Sequence, residues 1–192
     1  MRLSGGRFDY RWFKLRALVL LMFGRRAAAH TVFTEMLALA PQDAYALASR
    51  AHLRAQLGQR DAALADAQAL TTFHPQRSAA DWFNLGYLLD EAGRLDESEP
   101  AFRRAVELDA KLDRAWYGLA LVLIRLGRHE DAIAALRRNT ELQPMSPYGW
   151  YQLARVHVDR DEADEARRII RHLKQFEPKV AAQLERETGL AA

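Results

Sequence analysis

Apolar residues recur at intervals of three and four along almost the whole chain, with polar residues between them. No stretch alternates apolar and polar residues with a period of two, as a half-buried β-strand would. Glycine and proline stand mainly between the periodic stretches, where helices end. The pattern therefore predicts an all-α protein built from successive helices.

The spacing of the prolines indicates how these helices are organised. Pro41, Pro75, Pro144 and Pro178 lie 34 or 35 residues apart when Ala110 is counted in the place of a missing proline. A fixed period of about 34 residues is typical of an array of helical hairpins rather than of a single globular core. Each hairpin has an apolar face that only a neighbouring hairpin can cover.

Aligning the chain on this period gives five units, each with a first helix, a turn and a second helix. The units span residues 10–43, 44–78, 79–112, 113–146 and 147–178, between an N-terminal extension at 1–9 and a capping helix and tail at 179–192. Glycine stands at the turn of the first four units, where a left-handed residue commonly ends the first helix. Asp161 replaces this glycine in the fifth unit.

The residues inside the units are most regular in the third, fourth and fifth. The fourth unit carries Trp116, Leu119, Ala120, Leu123, Gly127, Ala132, Leu136 and Pro144. These spacings resemble the tetratricopeptide repeat, whose pattern is Trp-x2-Leu-Gly-x2-Tyr, then Ala-x3-Phe, then Pro. The resemblance extends over residues 10–180 and implies a bacterial-type protein of five repeats, folded as a right-handed α-solenoid of antiparallel helix hairpins.

The resemblance also implies a binding site, because the first helices of this family line a concave groove. The candidate residues at groove positions are Tyr45, Phe83, Asn84, Tyr87, Arg114, Tyr117, Tyr148, Tyr151 and Gln152. Tyrosine suits such a groove because it offers a large contact area with a polar tip. The implied function is a protein–protein interaction scaffold, adaptor or assembly chaperone that holds a peptide or helix of a partner protein. The alternative is that several of these rings only pack against the neighbouring first helix.

The first helix departs from the repeat pattern, since residues 17–23 are apolar all round. Leu15, Leu18, Leu21 and Met22 fall on groove positions and are expected to be exposed in a monomer, and exposed apolar patches usually mark a contact site. Basic residues flank them. The exposed apolar residues and the basic residues beside them therefore predict a contact surface on this helix. That surface is expected to dock into a larger complex, to self-associate into a homo-oligomer or to bind an anionic membrane surface.

A secretory signal is a rival interpretation of the same segment, since residues 27–29 are small alanines like those of a cleavage site. Arg25 and Arg26 oppose it, because charge is disfavoured there, and the apolar run is of minimal length. The run is also too short to span a bilayer. We expect a cytoplasmic protein, with membrane-peripheral or exported locations as alternatives.

Composition and charge exclude some kinds of functional site. The chain has no cysteine, which excludes disulfides, zinc–thiolate sites and thiol nucleophiles. The net charge of +3 is concentrated at the N-terminus, where residues 1–30 hold seven basic residues against one acidic residue. The remainder is therefore acidic, and the basic character belongs to the first helix.

No motif predicts catalysis. The six histidines show no pairing at i+3 or i+4, and there is no glycine-rich phosphate loop or nucleophile elbow. We therefore expect no enzymatic activity, no metal and no cofactor. Basic pairs at 103–104, 137–138 and 171–172 recur at equivalent positions, which raises nucleic-acid binding as a third function. Pairing of Glu99 with Arg103 at i, i+4 favours a solvated face instead.

Overall fold

The computed structural model describes residues 6–191, and the side chains from Tyr10 onward. Residues 1–5 of the predicted extension and Ala192 of the predicted tail lie outside the described residues. All regular structure in the described part is α-helical. Its helices are α1 (Gly6–Met22), α2 (Arg26–Leu39), α3 (Ala44–Gln56), α4 (Arg60–Phe73), α5 (Ala79–Glu91), α6 (Leu95–Leu108), α7 (Asp113–Arg125), α8 (His129–Leu142), α9 (Pro147–Asp159), α10 (Ala163–Lys174) and α11 (Pro178–Thr188).

Two of the observed helix boundaries differ from the predicted boundaries of the chain segments. Helix α1 begins at Gly6, so helical structure reaches into the segment that we predicted as an extension at 1–9. Helix α11 covers most of the predicted capping segment and begins with Pro178, which we assigned to the fifth repeat. The grouping of the other helices into five repeats stays a prediction.

The chain forms two compact units that divide between Leu88 and Leu89, within α5. In the first unit α1 packs on α2, α2 on α3, and α3 on α4. In the second unit each helix from α6 to α10 packs on the next one along the chain, and α11 packs on both α9 and α10. Packing therefore passes from neighbour to neighbour within each unit, as in repeat proteins.

Small residues set how closely these helices approach. Ala17, Ala29 and Ala46 are fully buried in the first unit, beside the large side chain of Phe33. In the second unit Gly118 lies against the buried ring of Phe102, and a Cβ atom at Gly118 would stand only 2.6 Å from that ring. A larger residue would force the two helices apart.

The turns within the hairpins need a left-handed residue. Gly24, Gly58, Gly93 and Gly127 have φ angles between 68° and 74°, and Asp161 has φ 59°. At Gly127 the turn is closed by a hydrogen bond from the Arg128 backbone N–H to the Leu123 carbonyl at 2.9 Å. Glycine adopts this conformation without steric cost, whereas aspartate adopts it at some cost.

A repeated tryptophan hydrogen bond fixes the connection that precedes each of three first helices. The indole Nε1–H of Trp82 donates to the carbonyl of Pro75 at 2.8 Å. Trp116 donates in the same way to Ala110 at 3.0 Å, and Trp150 donates to Pro144 at 2.9 Å. The acceptors are the residues whose spacing defines the sequence period, so the tryptophan and the proline of the pattern act together.

A buried ionic network joins three helices of the first unit. The carboxylate of Asp66 on α4 accepts hydrogen bonds from Arg50 at 2.7 and 2.9 Å and from Arg54 at 2.8 Å. Arg54 Nε also donates to Nε2 of His30 on α2 at 3.2 Å. Burial lowers the pKa of His30, and the nearby cations of Arg54 and Arg50 lower it further, partly offset by Asp66. The network therefore requires a neutral His30.

Trp116→Phe should lower the free energy of unfolding by about 1 kcal/mol, because the Ala110 carbonyl loses its indole donor. Urea titration followed by circular dichroism measures this change. Trp12→Phe is the control, since Trp12 is 59% exposed and its substitution should change stability by less than about 0.5 kcal/mol. An equal loss of stability in both variants would show that the indole bond contributes nothing.

Stability should also fall as the pH drops below about 6.5, the ordinary pKa of histidine. Because the folded-state pKa of His30 is lowered, the unfolded chain takes up this proton first, and the contribution of His30 is fully present only above that pH. His30→Gln keeps a neutral acceptor for Arg54. Urea unfolding at several pH values should therefore give a flatter profile for His30→Gln between about pH 7 and 5, and identical profiles would contradict this origin.

Candidate functional site

A cavity of about 430 Å³ lies in the first unit between α3, α4 and α5. Three predicted groove residues, Phe83, Asn84 and Tyr87, line one side of it. The rest of its wall is formed by Ala48, Ala51, His52, Ala55, Gln56, Ala67, Leu70, Asp81 and Leu88. We call this space the first cavity. It brings an aromatic ring, an amide and a phenol together over a mostly apolar floor.

The first cavity exists because α3 is poor in large side chains. Ala48 and Ala55 stand at groove positions where the predicted fourth repeat carries Tyr117 and Ile124. Alanine at both positions leaves a hollow that a ring or a branched side chain would fill. These two alanines are visible in the sequence, but only large residues were predicted as groove residues.

The rim of the first cavity is polar. The side-chain amide of Gln56 donates a hydrogen bond to Nε2 of His52 at 2.9 Å. The Asp81 carboxylate is 7% exposed and pairs with Arg77 at 2.5 Å. Tyr87 is 51% exposed, so its ring and hydroxyl are accessible to a ligand. The rim therefore offers hydrogen-bonding groups around an apolar centre.

A second cavity of about 430 Å³ lies within the second unit, between α7, the end of α8 and the start of α9. It brings together the predicted residues Arg114, Tyr117 and Tyr148, and the remaining lining residues are Asp113, Asn139, Gln143 and Ser146. Tyr148 is 69% exposed. The lining of this second cavity is more polar than that of the first and includes one guanidinium group and two phenols.

Asn139 is fixed in the wall of the second cavity by contacts on both sides. Its Nδ2 donates to the carbonyl of Asp113 at 3.0 Å. Its Oδ1 faces Gly149, where a Cβ atom would collide with it. Asn139 is buried, so this amide supports the cavity wall more than it faces solvent. Neither Asn139 nor Gly149 was predicted from the sequence as a site residue.

Two predicted groove tyrosines, Tyr45 and Tyr151, contact other residues of the chain. Tyr45 packs edge-on against Phe33 with ring centres 5.8 Å apart, and Lys14 Nζ lies 4.4 Å from the centre of the Tyr45 ring. Tyr151 donates its hydroxyl to Glu187 of α11 at 2.5 Å, and Arg155 pairs with the same carboxylate at 3.1 Å. For these two residues the structure favours the alternative of packing within the chain.

The Tyr151–Glu187 hydrogen bond also shifts the pKa values of the phenol and of the carboxylate. It is the main cause of the raised pKa of Tyr151 and of the lowered pKa of Glu187. Gln152, the remaining groove prediction, is half-buried on α9 and lines neither cavity. The other predicted groove residues are thus divided between the two cavities and a set of internal contacts.

The predicted contact residues of α1 are only partly exposed. Leu15 and Leu18 are each 52% exposed and Met22 is 76% exposed. Leu21 was expected on the same surface, but it is half-buried and packs against the core of the first unit. The exposed surface instead includes Trp12, Val19 and Phe23. A helical projection centred on Leu15 would have found them, because they lie on its side of the helix.

Three of the six residues in the basic pairs on the second helices form ion pairs. Arg103 pairs with Glu99, Arg104 with Glu107 and Arg138 with Glu141, each at 2.8 Å. Pairing with carboxylates reduces the positive field that phosphates would require. Among residues 6–191 no cluster of three or more histidine and carboxylate side chains suits a metal ion. No helix in that range is both long and apolar enough to cross a membrane.

Solved structures with the same arrangement of helices place this chain in a fold class. The crystal structure of the MamA protein matches 95% of this chain and 96% of its own, with a TM-score of 0.82 and 18% identity. YrrB is described as a TPR protein with an unusual peptide-binding site. Its structure matches 88% of this chain and 88% of its own, with a TM-score of 0.80 and 16% identity. A tetratricopeptide repeat protein from Parabacteroides merdae matches 94% of this chain and 73% of its own, with a TM-score of 0.80 and 17% identity.

A comparison with curated protein sequences found no match. A family model for the tetratricopeptide repeat matches residues 48–113, 83–147 and 117–179, which together cover more than half of the chain. The predicted fold class, an all-α solenoid of antiparallel helix hairpins, is confirmed by the helices and by these matches. The chain belongs to the tetratricopeptide repeat family.

Proposed function

We propose that this chain is a tetratricopeptide-type interaction scaffold, and that each of its two cavities is a binding site for a peptide segment or helix of a partner protein. The observation that carries the proposal is the first cavity, an apolar hollow with exposed Tyr87 at its rim. Proteins of this fold are generally scaffolds without catalytic activity. Within that class, we assign the chain a role as an adaptor or assembly chaperone.

The first cavity suits an apolar side chain of the partner. Its floor of alanine and leucine side chains offers no charge, and its volume is in the range of ordinary ligand pockets. Asn84 stands beside Tyr87 on the same wall and is exposed, so its amide can pair with the backbone of an extended peptide. An apolar anchor with polar groups around it is the usual form of an interaction hot spot.

The second cavity suits a carboxylate of the partner. Arg114 is exposed there, and a guanidinium group can hold a carboxylate through two parallel hydrogen bonds. Tyr117 and Tyr148 supply flat surfaces beside it with little loss of conformational entropy. The solved structure of YrrB is described as having an unusual peptide-binding site. This description supports the proposal that a chain of this fold can bind a peptide.

Ala55→Leu should reduce peptide binding at the first cavity, because the added side chain fills the hollow. Peptides would be selected on the wild-type chain from a displayed random library, and their affinities measured by fluorescence anisotropy. We expect apolar-anchored peptides to bind Ala55→Leu about tenfold more weakly, which corresponds to the loss of one well-buried side chain. Ala65→Leu is the matched control, since Ala65 is exposed on α4 away from the cavity.

Circular dichroism would confirm that both variants keep the helix content of the wild type. Equal affinity of the selected peptides for the wild-type chain and for both Ala55→Leu and Tyr87→Ala would exclude the first cavity as a binding site. A library that yields no sequence-specific peptide would count against the scaffold proposal as a whole.

Arg114→Gln should weaken binding of peptides that carry an acidic residue or a free carboxyl terminus, by about tenfold, since a hydrogen bond to a charged group is lost. The same peptides in amide form should be insensitive to the substitution. Arg171→Gln provides the control, because Arg171 is exposed on α10 and lines neither cavity. If Arg114→Gln and Arg171→Gln weakened binding equally, the effect would reflect general charge and the carboxylate assignment would be wrong.

A further inference from the structure

Helix α1 is apolar on two opposite faces. Its inner face holds Ala17, which is fully buried, and Phe13, Leu20 and Leu21, which pack against the core of the first unit. Its outer face and end hold six large apolar side chains that are 41% to 77% exposed: Trp12, Leu15, Leu18, Val19, Met22 and Phe23. Positions 12, 15, 19 and 22 recur at intervals of three and four, so these residues form one continuous stripe. We call it the outer stripe.

The last helix shows what a solvent-facing helix of this fold looks like. The exposed side chains of α11 include Lys179, Gln183, Arg186 and Glu187, while Ala181 and Leu184 are fully buried. Helix α11 is therefore apolar inside and polar outside. A patch of large apolar residues on the outside of α1 is not needed for folding, and such patches mark contact sites.

The charge around the outer stripe has one sign. Between Tyr10 and Thr34 the chain carries five basic residues and no acidic residue. Arg11 falls among the stripe residues, Arg16 borders them, and Arg25 and Arg26 follow Phe23 and are exposed. Arg16 alone of these has a carboxylate nearby in the described part of the chain, at 3.2 Å from Glu35, and both side chains of that pair are over 40% exposed.

The fifth basic residue faces inward and does not contribute to the outer field. Lys14 Nζ lies 4.6 Å from the centre of the Tyr10 ring and 4.4 Å from that of Tyr45. This cation is therefore held on the core side of α1 by the two aromatic rings. The positive charge that remains on the outside comes from four arginines set around and beyond the outer stripe.

We propose that the outer stripe of α1 binds an anionic membrane surface, with the helix lying in the plane of the interface. Tryptophan, phenylalanine and leucine on one face with arginines beside them are the features of an interfacial helix. Trp12 belongs to the outer stripe, and tryptophan side chains prefer the headgroup level of a bilayer. The arginines supply the attraction to anionic lipids.

Charge favours this occupant over a second copy of the chain. A two-fold pairing of the same face would bring the arginines of both copies together, because each residue meets the same surface of its partner. Like charges in contact are unfavourable, and of the four arginines only Arg16 is paired with a carboxylate in the described part of the chain. An anionic lipid surface supplies the missing negative charge. This inference rests on α1 alone and is independent of the two cavities.

Vesicles test the proposal directly, and the absence of cysteine permits a site-specific probe. Met22→Cys labelled with an environment-sensitive fluorophore should show a blue shift and increased emission with vesicles of phosphatidylcholine and about 30% phosphatidylglycerol. Vesicles of phosphatidylcholine alone should give a response about tenfold weaker, and salt should reduce binding to the anionic vesicles. Met145→Cys is the control, because Met145 is also largely exposed but lies in the connection after α8.

Co-sedimentation of the unlabelled chain with the same vesicles gives a second measurement. Leu18→Asp with Met22→Asp should reduce the bound fraction about tenfold, whereas Leu39→Asp with Met145→Asp, which adds the same charge at other exposed sites, should lower it only slightly. Circular dichroism would show whether each variant is folded.

Three results would overturn the proposal. The first is failure of the wild-type chain to bind anionic vesicles, and the second is an equal response of the probes at Met22→Cys and Met145→Cys. The third is a concentration-dependent increase in mass, measured by light scattering and lost in Leu18→Asp with Met22→Asp, in a chain that does not bind vesicles. That outcome would assign the outer stripe to self-association.

Discussion

A two-helix hairpin of this length cannot bury its own apolar face, and this constraint explains how neighbouring helices pack within each unit. In the second unit α8 packs on α7, α9 on α8, and α11 on α9 and α10. Each added helix covers residues that the preceding helices leave open, until α11 ends the series with a polar outer surface. The small residues of the pattern, such as Gly118 against Phe102, allow the covering helix to come close enough.

The same constraint explains where the candidate site lies. The apolar face of a helix is fully buried only where its side chains and those of the facing helix fill the space between the two helices. At Ala48 and Ala55 the side chains of α3 are too small to do so, and the first cavity is the space that results. A hollow of this kind costs little stability, because the residues that could have filled it are absent rather than displaced. The position of the hollow thus follows from two alanines in a pattern that otherwise has large residues.

Sequence reasoning predicted the features that depend on local spacing. The turn glycines and Asp161 have the left-handed φ angles that the period implied, and the helices occur where the apolar pattern placed them. It failed where a side chain finds a partner that is distant along the chain. Tyr151 bonds to Glu187, 36 residues away, and this depends on how α11 packs, which no local pattern specifies.

The expected exposure of Leu21 on α1 was wrong for a different reason, whereas Leu15, Leu18 and Met22 are exposed as expected. Leu21 was placed on the groove side by its position in the repeat, but that position faces the core of the first unit. The family pattern gives groove positions for a helix with neighbours on both sides. Helix α1 is the first helix of the described chain, and its exposed side is therefore set by where α2 and α3 lie rather than by the repeat position.

The polar contacts of α1 have a consequence for any ligand on its outer side. Tyr10 donates its hydroxyl to Asp43 at 2.7 Å, and Asp43 also caps α3 by accepting a hydrogen bond from the Ala46 N–H at 2.7 Å. Burial and this bond raise the pKa of Tyr10 to about 12, so the phenol keeps its proton at any physiological pH. Helix α1 is thereby tied to the N-terminus of α3 through the Tyr10–Asp43 bond. The outer stripe is accordingly presented by a helix of fixed orientation, and a surface that binds it need not pay the entropy of ordering a loose segment.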